Sequence, residues 1–457
     1  MKDLVDVVRT TFPARLEGQV HRVVGLTAES RGLFAPVGGS CQIRCRDGRT
    51  VSAEVVGFRQ EHAIVAPYGD IRGISAGDRI VYRGKTTSVR VGPELIGRVV
   101  DAQGRLLENG EFLESGVDLP LHRTPANPMK RSQVERPLAT GVRAIDSLLT
   151  VGRGQRMGIF SGSGVGKSVL LGMIARNTDA SVVVIGLIGE RSREVREFVE
   201  RSLGASGLRR AVVVVATGEE PALKRIQAAF VATTIAEYFR DSGEDVLLLM
   251  DSLTRVATAQ RELGLSSGET PATKGYPPSV FSLLPKLLER AGPTRTGSIT
   301  GFYTVLVEAD DRHDPVADCA RSVLDGHLWL SRDLAERSFF PAIDPLGSLS
   351  RVQPQIVSPE HLSVATQTRE HLARYRQVED LIRLGAYVPG ADAEVDESVN
   401  LYPAIESYLR QHEGDNCTYD ESIDRLTELM TRERSSENAT QSSRQSVGLR
   451  RGRDERG

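Results

Sequence analysis

No apolar run in this sequence approaches the roughly 20 residues needed to cross a bilayer. The longest, "AVVVVA" and "VLLLM", have the length of buried strands, so no membrane span is expected. The opening segment, "MKDLVDVVRTTF", lacks an apolar signal core and a small-residue cleavage site, which makes the cytoplasm the expected location. Four cysteines agree with a reducing compartment. Cys41 and Cys45, in "SCQIRCRDG", read as positions of one strand, where their Cα atoms stand about 13 Å apart, beyond disulfide reach. The eight histidines are scattered, so no cysteine–histidine metal site is expected. An excess of one charge is missing too. Lys plus Arg number 58 and Asp plus Glu 60, which leaves no whole-chain field for nucleic acid or an acidic membrane. No internal repeat of fixed period occurs.

What is present is a patterned α/β chain of 457 residues, with material for about three domains. Residues 1–17 place Leu4, Val7, Val8 and Phe12 on one face of an expected amphipathic helix, a stripe that either packs locally or docks a partner. Residues 18–91 hold short β-rich runs such as "QVHRVVGLT", "VSAEVVGF" and "HAIVAP" between Gly, Asp and Pro turn residues. That spacing predicts a small β-barrel. From 92 to 353, β-branched runs such as "SVVVIGLI" and "VLLLMDS" alternate with helical segments such as "LKRIQAAFVATTIAEYFRD", the pattern of a mostly parallel sheet covered by helices. Residues 354–431 read as helical, and 432–457, rich in Arg, Ser and Gly without apolar periodicity, as a disordered tail.

The chemistry gathers in three stretches. In "RMGIFSGSGVGKSVLL" an apolar strand enters a glycine-rich turn, then Lys167, Ser168 and a helical run. Such a loop turns successive backbone N–H groups inward and sets a helix N-terminus against phosphates. Gly162, Ser163, Gly164, Val165 and Gly166 form its cradle and Val169 its first helical turn. Lys167 then reaches the β and γ phosphates, and the Ser168 hydroxyl ligates Mg²⁺. Ser161 stands where the strict pattern wants its first glycine. The second stretch, "EDVLLLMDSLTR", ends an apolar strand in Asp251, placed at a sheet's carboxyl edge to hold Mg²⁺ through water. In the third, "LIGERSREVREF", Glu190 and Arg191 follow a strand directly. A carboxylate that orients or deprotonates water and a cation near the γ phosphate are what phosphoryl transfer to water requires. The alternative for Glu190 is a cap on the helix that follows.

Longer blocks extend this reading. "ERPLATGVRAIDSLLTVGRGQRMGIFSGSGVGKS", "IGERSREVREF", "DSLTRVATAQRELGLSSGETPATKGYPPSVFSLLPKLLERAG", "DPVADCARSVLDGHLWLSR" and "FFPAIDPLGSLSRV" together resemble the type III secretion ATPase family. The likeness is strongest to its flagellar protein-export branch, relatives of the catalytic subunit of rotary ATP synthases, and runs from about residue 18 to 430. The resemblance implies an N-terminal β-barrel, a central RecA-like P-loop domain, a C-terminal helical domain and a homohexamer with ATP and Mg²⁺ at subunit interfaces. It assigns Lys167 and Ser168 to the phosphate-loop pair, Glu190 to the catalytic glutamate and Asp251 to the Mg²⁺-associated aspartate. Arg351, in "GSLSR", matches an arginine inserted toward the neighbour's γ phosphate. Phe340, in "FFPAID", stands where relatives stack a tyrosine on adenine, and Tyr387, in "LGAYVPG", resembles a second aromatic near the base. "VEADDRHDPVADC" departs from the family with Ala309 in place of Gly and with "RHD".

The function implied is Mg²⁺-dependent ATP hydrolysis energising type III export of flagellar proteins: chaperone release, unfolding and delivery to the export gate. A virulence-type secretion ATPase shares every catalytic motif and is the alternative; a rotary ATP synthase subunit follows, against which "GYPPSVFSLLPKLLERAG" counts. An RNA translocase needs exposed aromatics and a basic groove in its barrel, whereas residues 18–91 offer Phe34, Phe58, Tyr68 and Tyr82 among mixed charges; nucleic acid is not an expected partner. A non-hydrolysing ring member would lack the catalytic carboxylate, and Glu190 is present. The partners implied by the resemblance are a stator-like regulatory dimer at the N-terminal helix, a coiled-coil stalk protein, substrate–chaperone complexes and the membrane export gate. The implied location is peripheral to the inner membrane at the export apparatus.

Overall fold

The computed structural model describes residues 16–124, 129, 131–307, 311 and 314–431. The stripe of Leu4, Val7, Val8 and Phe12, the tail 432–457 and Ala309 lie outside the described residues. Two units make up the chain, one from residues 1–133, 154–163 and 180–325, the other from 134–153, 164–179 and 326–457.

In the first unit six strands close an antiparallel barrel in the order β1 (Glu17–Val24), β2 (Thr27–Arg31), β5 (His62–Pro67), β4 (Thr50–Arg59), β3 (Gly39–Arg44), β6 (Arg79–Thr86). Period-two alternation builds it. Along β3 the residues Cys41 and Ile43 point inward, where with Ala53, Val55, Val65 and Ile80 they are fully buried. Cys41 and Cys45 are both buried and free. Burial, with the Glu54 charge, pushes the Cys41 thiol up to about 12, so it stays protonated and acts as a small apolar residue.

After the barrel, β7 (Ser88–Val91) pairs antiparallel with β9 (Val117–Pro120). A parallel sheet then forms from β8 (Val99–Asp101), β10 (Arg156–Ser161), β11 (Val182–Ile188), β12 (Ala211–Ala216), β13 (Asp245–Asp251) and β15 (Ser298–Leu306), in the order β10, β15, β13, β11, β12, β8. Short β14 (Gly292–Pro293) adds an antiparallel pairing to β15. Every residue of β11 and β12 is buried, because helices cover the sheet and leave no solvent face to ask for polar alternation. Helix Ala222–Asp241 packs on β11, β12 and β13 and against helix Leu253–Ser266. Buried on nearly every side, it has almost no polar stripe.

One buried charge pair ties these layers together. Arg290, at the end of helix Pro278–Leu288, is 2% exposed and donates to both carboxylate oxygens of Glu237 at 2.7 and 3.0 Å. It also donates to Thr234 Oγ1 (2.9 Å) and to the Leu121 carbonyl (2.6 Å), just past β9. Arg123 adds a second cation 3.3 Å from Glu237. On the barrel side, Arg59 donates to Glu29 at 2.8 Å and to the Ser267 carbonyl at 2.7 Å.

In the second unit, helices Arg143–Leu148 and Lys167–Asn177 accompany β16 (Gly326–Leu330), which pairs antiparallel with β17 (Leu349–Ser350). Short helices Arg332–Glu336 and Gln353–Ile356 follow, then the longer helices Pro359–Arg383, Ala393–Leu409 and residues 419–431. Their starts are written locally: Ser358 accepts the His361 N–H at 3.2 Å with Pro359 in the first turn, and Asp392 accepts the Glu394 N–H at 3.0 Å. Tyr375 and Tyr402 stack at 3.5 Å between the two long helices. No described helix is long and apolar enough to cross a membrane. The expected sequence of barrel, mostly parallel sheet and C-terminal helices is the observed one.

Arg290→Met keeps the side chain's length and removes the partner of a buried carboxylate. Breaking such a pair from one side costs about 3–5 kcal/mol, so the urea midpoint followed by circular dichroism should fall; an unchanged midpoint would mean that Arg123 alone neutralises Glu237.

Candidate active site

Strand β10 carries the chain to the glycine loop. Its last residue, Ser161, is fully buried and its carbonyl accepts the Val307 N–H at 2.9 Å. The departure from the strict glycine pattern therefore sits inside a strand, where a side chain is no obstacle. The turn itself is made where the glycines are. Gly164 and Gly166 have φ of +80° and +86°, a backbone that L side chains rarely adopt. Gly166 also has no room: a Cβ there would stand 3.2 Å from the Phe340 ring. Helix Lys167–Asn177 starts at Gly166 with no side-chain cap, so its first N–H groups and the positive end of its dipole are presented to a ligand. Ser163, Gly164, Ser168 and Val169 are exposed, Lys167 half-buried, Gly162 and Val165 buried.

The first unit supplies two carboxylates from adjacent strands. Register pairs Leu187 of β11 with Asp251 of β13, so Glu190, three residues beyond Leu187, and Asp251 both stand at the carboxyl edge. Asp251 is 3% exposed and accepts a 2.7 Å hydrogen bond from Thr304 Oγ1, itself fully buried on β15. The turn that aims Glu190 is pinned on both sides: the Gly189 N–H donates to the Ala216 carbonyl at 2.6 Å, and the Glu190 carbonyl accepts the Gly218 N–H at 3.0 Å. Gly189 has φ +75°, and a Cβ there would lie 2.7 Å from that of Arg255. The cap alternative for Glu190 does not hold, because the residue at the N-cap of helix Ser192–Glu197 is Arg191. Arg191 is exposed; its N–H donates to Glu194 Oε2 at 3.5 Å, and its guanidinium stands 3.9 Å from the same carboxylate.

In the second unit a cavity of about 460 Å³ opens between the loop glycines Gly164 and Gly166, Val169, Phe340, Arg410 and His412. Phe340 keeps 41% of its surface exposed, an unusual state for an aromatic residue and a ready stacking face. The second aromatic expected near the base is Tyr387. Among the described residues it does not line this cavity; its hydroxyl donates to Asp396, which also takes the Gly390 N–H at 2.7 Å. That bond pushes the phenol up to about 12 and ties it to the first turn of the next helix, Ala393–Leu409. The cavity wall opposite Phe340 comes from residues 410–413 instead, a stretch with no motif to announce it. Arg351 follows β17, is exposed, and makes no hydrogen bond or ion pair among the described residues.

A metal fits only as a guest of the phosphates. Among the described residues no group of three or more His, Cys, Asp or Glu side chains could hold one. Mg²⁺ keeps much of its water and binds through few protein groups plus phosphate oxygens, so it needs no such cluster.

A parallel sheet that delivers two carboxylates at its carboxyl edge, and a glycine loop opening an uncapped helix, are the parts of a RecA-like nucleoside-triphosphatase. Comparison with known proteins makes that class specific. Residues 141–350 match the nucleotide-binding domain of the ATP synthase alpha/beta family, residues 20–84 its beta-barrel domain, and residues 357–428 the C-terminal domain of the type III secretion ATPase EscN. The chain is 49% identical to the flagellum-specific ATP synthase of Bacillus subtilis over 94% of its own length and 98% of that protein's. It is 50% identical to the one of Pseudomonas aeruginosa (92% and 95%), and 48% to the type 3 secretion system ATPase of Xanthomonas euvesicatoria (92% and 95%). Among solved structures, the assembled ATPase EscN of enteropathogenic E. coli matches with a TM-score of 0.86 at 44% identity, covering 90% of this chain and 99% of that one. EscN in complex with its central stalk EscO matches at 0.82 with the same identity and coverage. The chain belongs to the family of flagellar and type III secretion ATPases, and it is an ATPase.

Proposed function

We propose that this ATPase uses Mg²⁺-dependent hydrolysis to energise export of flagellar proteins. The observation that carries the hydrolytic reading is the pairing of β11 and β13, which sets Glu190 and Asp251 at one sheet edge. The flagellar reading leans on relatives named flagellum-specific ATP synthase at 47–50% identity. The virulence-type alternative keeps the Xanthomonas relative, at 48%, on its side.

In this mechanism the loop N–H groups and Lys167 hold the β and γ phosphates, and Phe340 stacks on the base. Ser168 and Asp251 hold Mg²⁺, which when bound neutralises phosphate charge. Glu190 orients the attacking water and accepts its proton, with Arg191 as the nearby cation. Thr304 keeps the Asp251 carboxylate oriented. Arg351 acts on the γ phosphate of a neighbouring subunit, so the working form is a homohexamer. EscN in its assembled and stalk-bound forms motivates both that ring and a coiled-coil stalk partner here. A stator-like dimer at residues 1–17, substrate–chaperone complexes and the export gate complete the proposed partners, with the enzyme in the cytoplasm and peripheral to the inner membrane.

The chemistry is tested first. Glu190→Gln should bind ATP nearly normally and lose about 10² or more in turnover, whereas Lys167→Ala should fail to bind, since it removes a fixed charge from the phosphates. Turnover of Glu190→Gln within a few-fold of wild type would sink the assignment. Gly189→Ala must shift the backbone that aims Glu190, and misplacement of about 1 Å costs about 10² in rate; equilibrium ATP binding should hold while turnover falls.

The ring is tested through Arg351. Specific activity should rise with protein concentration as subunits assemble. Arg351→Ala should still bind ATP and still assemble, yet lose about 10³ or more in turnover, the scale of arginine fingers. A ring of this variant working within about tenfold of wild type would refute a finger contributing several kcal/mol. For the export reading, deletion in the native host should abolish assembly of the external filament; loss of needle-type secretion with intact filaments would favour the virulence alternative.

A further inference from the structure

The wall facing Phe340 is held by one buried side chain. Gln411 is 2% exposed, and its backbone N–H donates to the Phe340 carbonyl at 2.9 Å. Its carboxamide reaches the other way. Oε1 accepts the Arg143 N–H at 2.9 Å, and Nε2 donates to the Gly141 carbonyl at 2.8 Å and to the Asp415 carbonyl at 3.4 Å. The orientation is unambiguous, since the oxygen faces an N–H and the nitrogen faces two carbonyls. Arg410, Gln411 and His412 all border the cavity, and the Gln411 carboxamide reaches from it toward Gly141 and Arg143.

What Gln411 grips is itself fixed. Gly141 donates its N–H to the fully buried Asp146 at 3.0 Å. It has φ +71° and packs so tightly on Asn177 that a Cβ would come within 2.3 Å of it. Asn177 ends the helix that begins at Lys167. One residue earlier on that helix, Arg176 donates to the Glu413 carbonyl at 2.9 Å. The 410–413 turn is therefore braced against Phe340, against Gly141–Arg143 and against the far end of the phosphate-loop helix.

We infer that Gln411 is the positioning residue of the base cavity: through its bonds to Phe340, Arg143 and Gly141 it sets the spacing between Phe340 and the 410–413 wall, and with it the affinity for the nucleotide's base. The inference rests on reading this cavity as the base site. Catalysis at the phosphates is handled by other elements, so Gln411 should govern binding of the base and leave the chemical step alone.

The test is Gln411→Met, which keeps the side chain's length and removes its hydrogen bonds. Two buried bonds of ordinary strength correspond to about a tenfold effect on an equilibrium. KM for ATP should rise about tenfold with kcat within about twofold. Tripolyphosphate, which offers the phosphates and no base, should inhibit wild type and variant with the same Ki. An unchanged KM overturns the inference. So does a parallel rise in KM and in the tripolyphosphate Ki, which would mean that the loop as a whole is distorted. Phe340→Ala separates the two levels of the argument. If it leaves KM unchanged, the cavity is not the base site; if it raises KM while Gln411→Met does not, only the role of Gln411 fails. Should Gln411→Met not fold, Gln411→Asn carries the same measurements, and failure of both to fold would make the residue a folding determinant and end the proposal.

Discussion

The register between β11 and β13 is the constraint on which the catalytic half of this enzyme depends. Val182 faces Val246 at one end and Leu187 faces Asp251 at the other, and every residue of β11 is buried. A slip by one residue would turn each side chain to the opposite face and withdraw Asp251 from the sheet edge. The hydrophobic strands thus do two things at once: they make the core, and they measure out where Glu190 and Asp251 emerge. Thr304, on the next strand, completes the setting by holding Asp251 from the side. The proposed mechanism needs two carboxylates a fixed distance apart, and buried apolar strands are a stiff way to supply it.

Much of this was legible in the sequence because the relevant signals are contiguous. A glycine loop, an apolar run ending in Asp251 and another ending in Gly189–Glu190 each carry their meaning within about ten residues, which is the range over which strand and turn patterns operate. Even the incomplete loop pattern was harmless for a local reason: Ser161 belongs to β10, and the left-handed positions fall on Gly164 and Gly166. What stayed hidden is non-local. Thr304 meets Asp251 across 53 positions, and Gln411 meets Gly141 across 270. Neither pair has a spacing rule, because the contact is created by strand order or by the return of the C-terminal helices. Tyr387 is of the same kind: an aromatic after a helix carries no mark of whether it turns to a ligand or, as its hydroxyl does in this fold, to Asp396.

A flagellum-specific ATP synthase and a type 3 secretion system ATPase stand at nearly equal identity to this chain, 49% and 48%. On the proposed mechanism, residues pinned by strand register and by positive-φ glycines have little room to change without loss of catalysis. Surfaces that meet different partners are free to change. Discrimination between export systems therefore belongs to exposed segments, and the catalytic frame is indifferent to it.

On the proposed reading, one segment of the second unit serves two nucleotides. Between β16 and β17 the chain passes through Phe340, at the cavity of its own subunit, and leaves at Arg351, proposed to act on a neighbour. The path between them is rigid. Asp344 accepts Arg376 at 2.8 Å and donates its N–H to the Trp329 carbonyl at 2.8 Å; Ser348 Oγ donates to the Asp344 carbonyl at 2.6 Å and accepts the Trp329 N–H at 2.9 Å. Ser350, next to Arg351, donates to the Thr150 carbonyl at 2.7 Å. Phe340 in turn is held by the Gln411 N–H. A displacement of Phe340 when a base enters would therefore be passed to Arg351 rather than absorbed, because packed and fully bonded segments shift as bodies. Sequential firing around a ring needs such a link, in which filling one site moves the finger that completes the next, and here the twelve residues from Phe340 to Arg351 of a single chain would provide it.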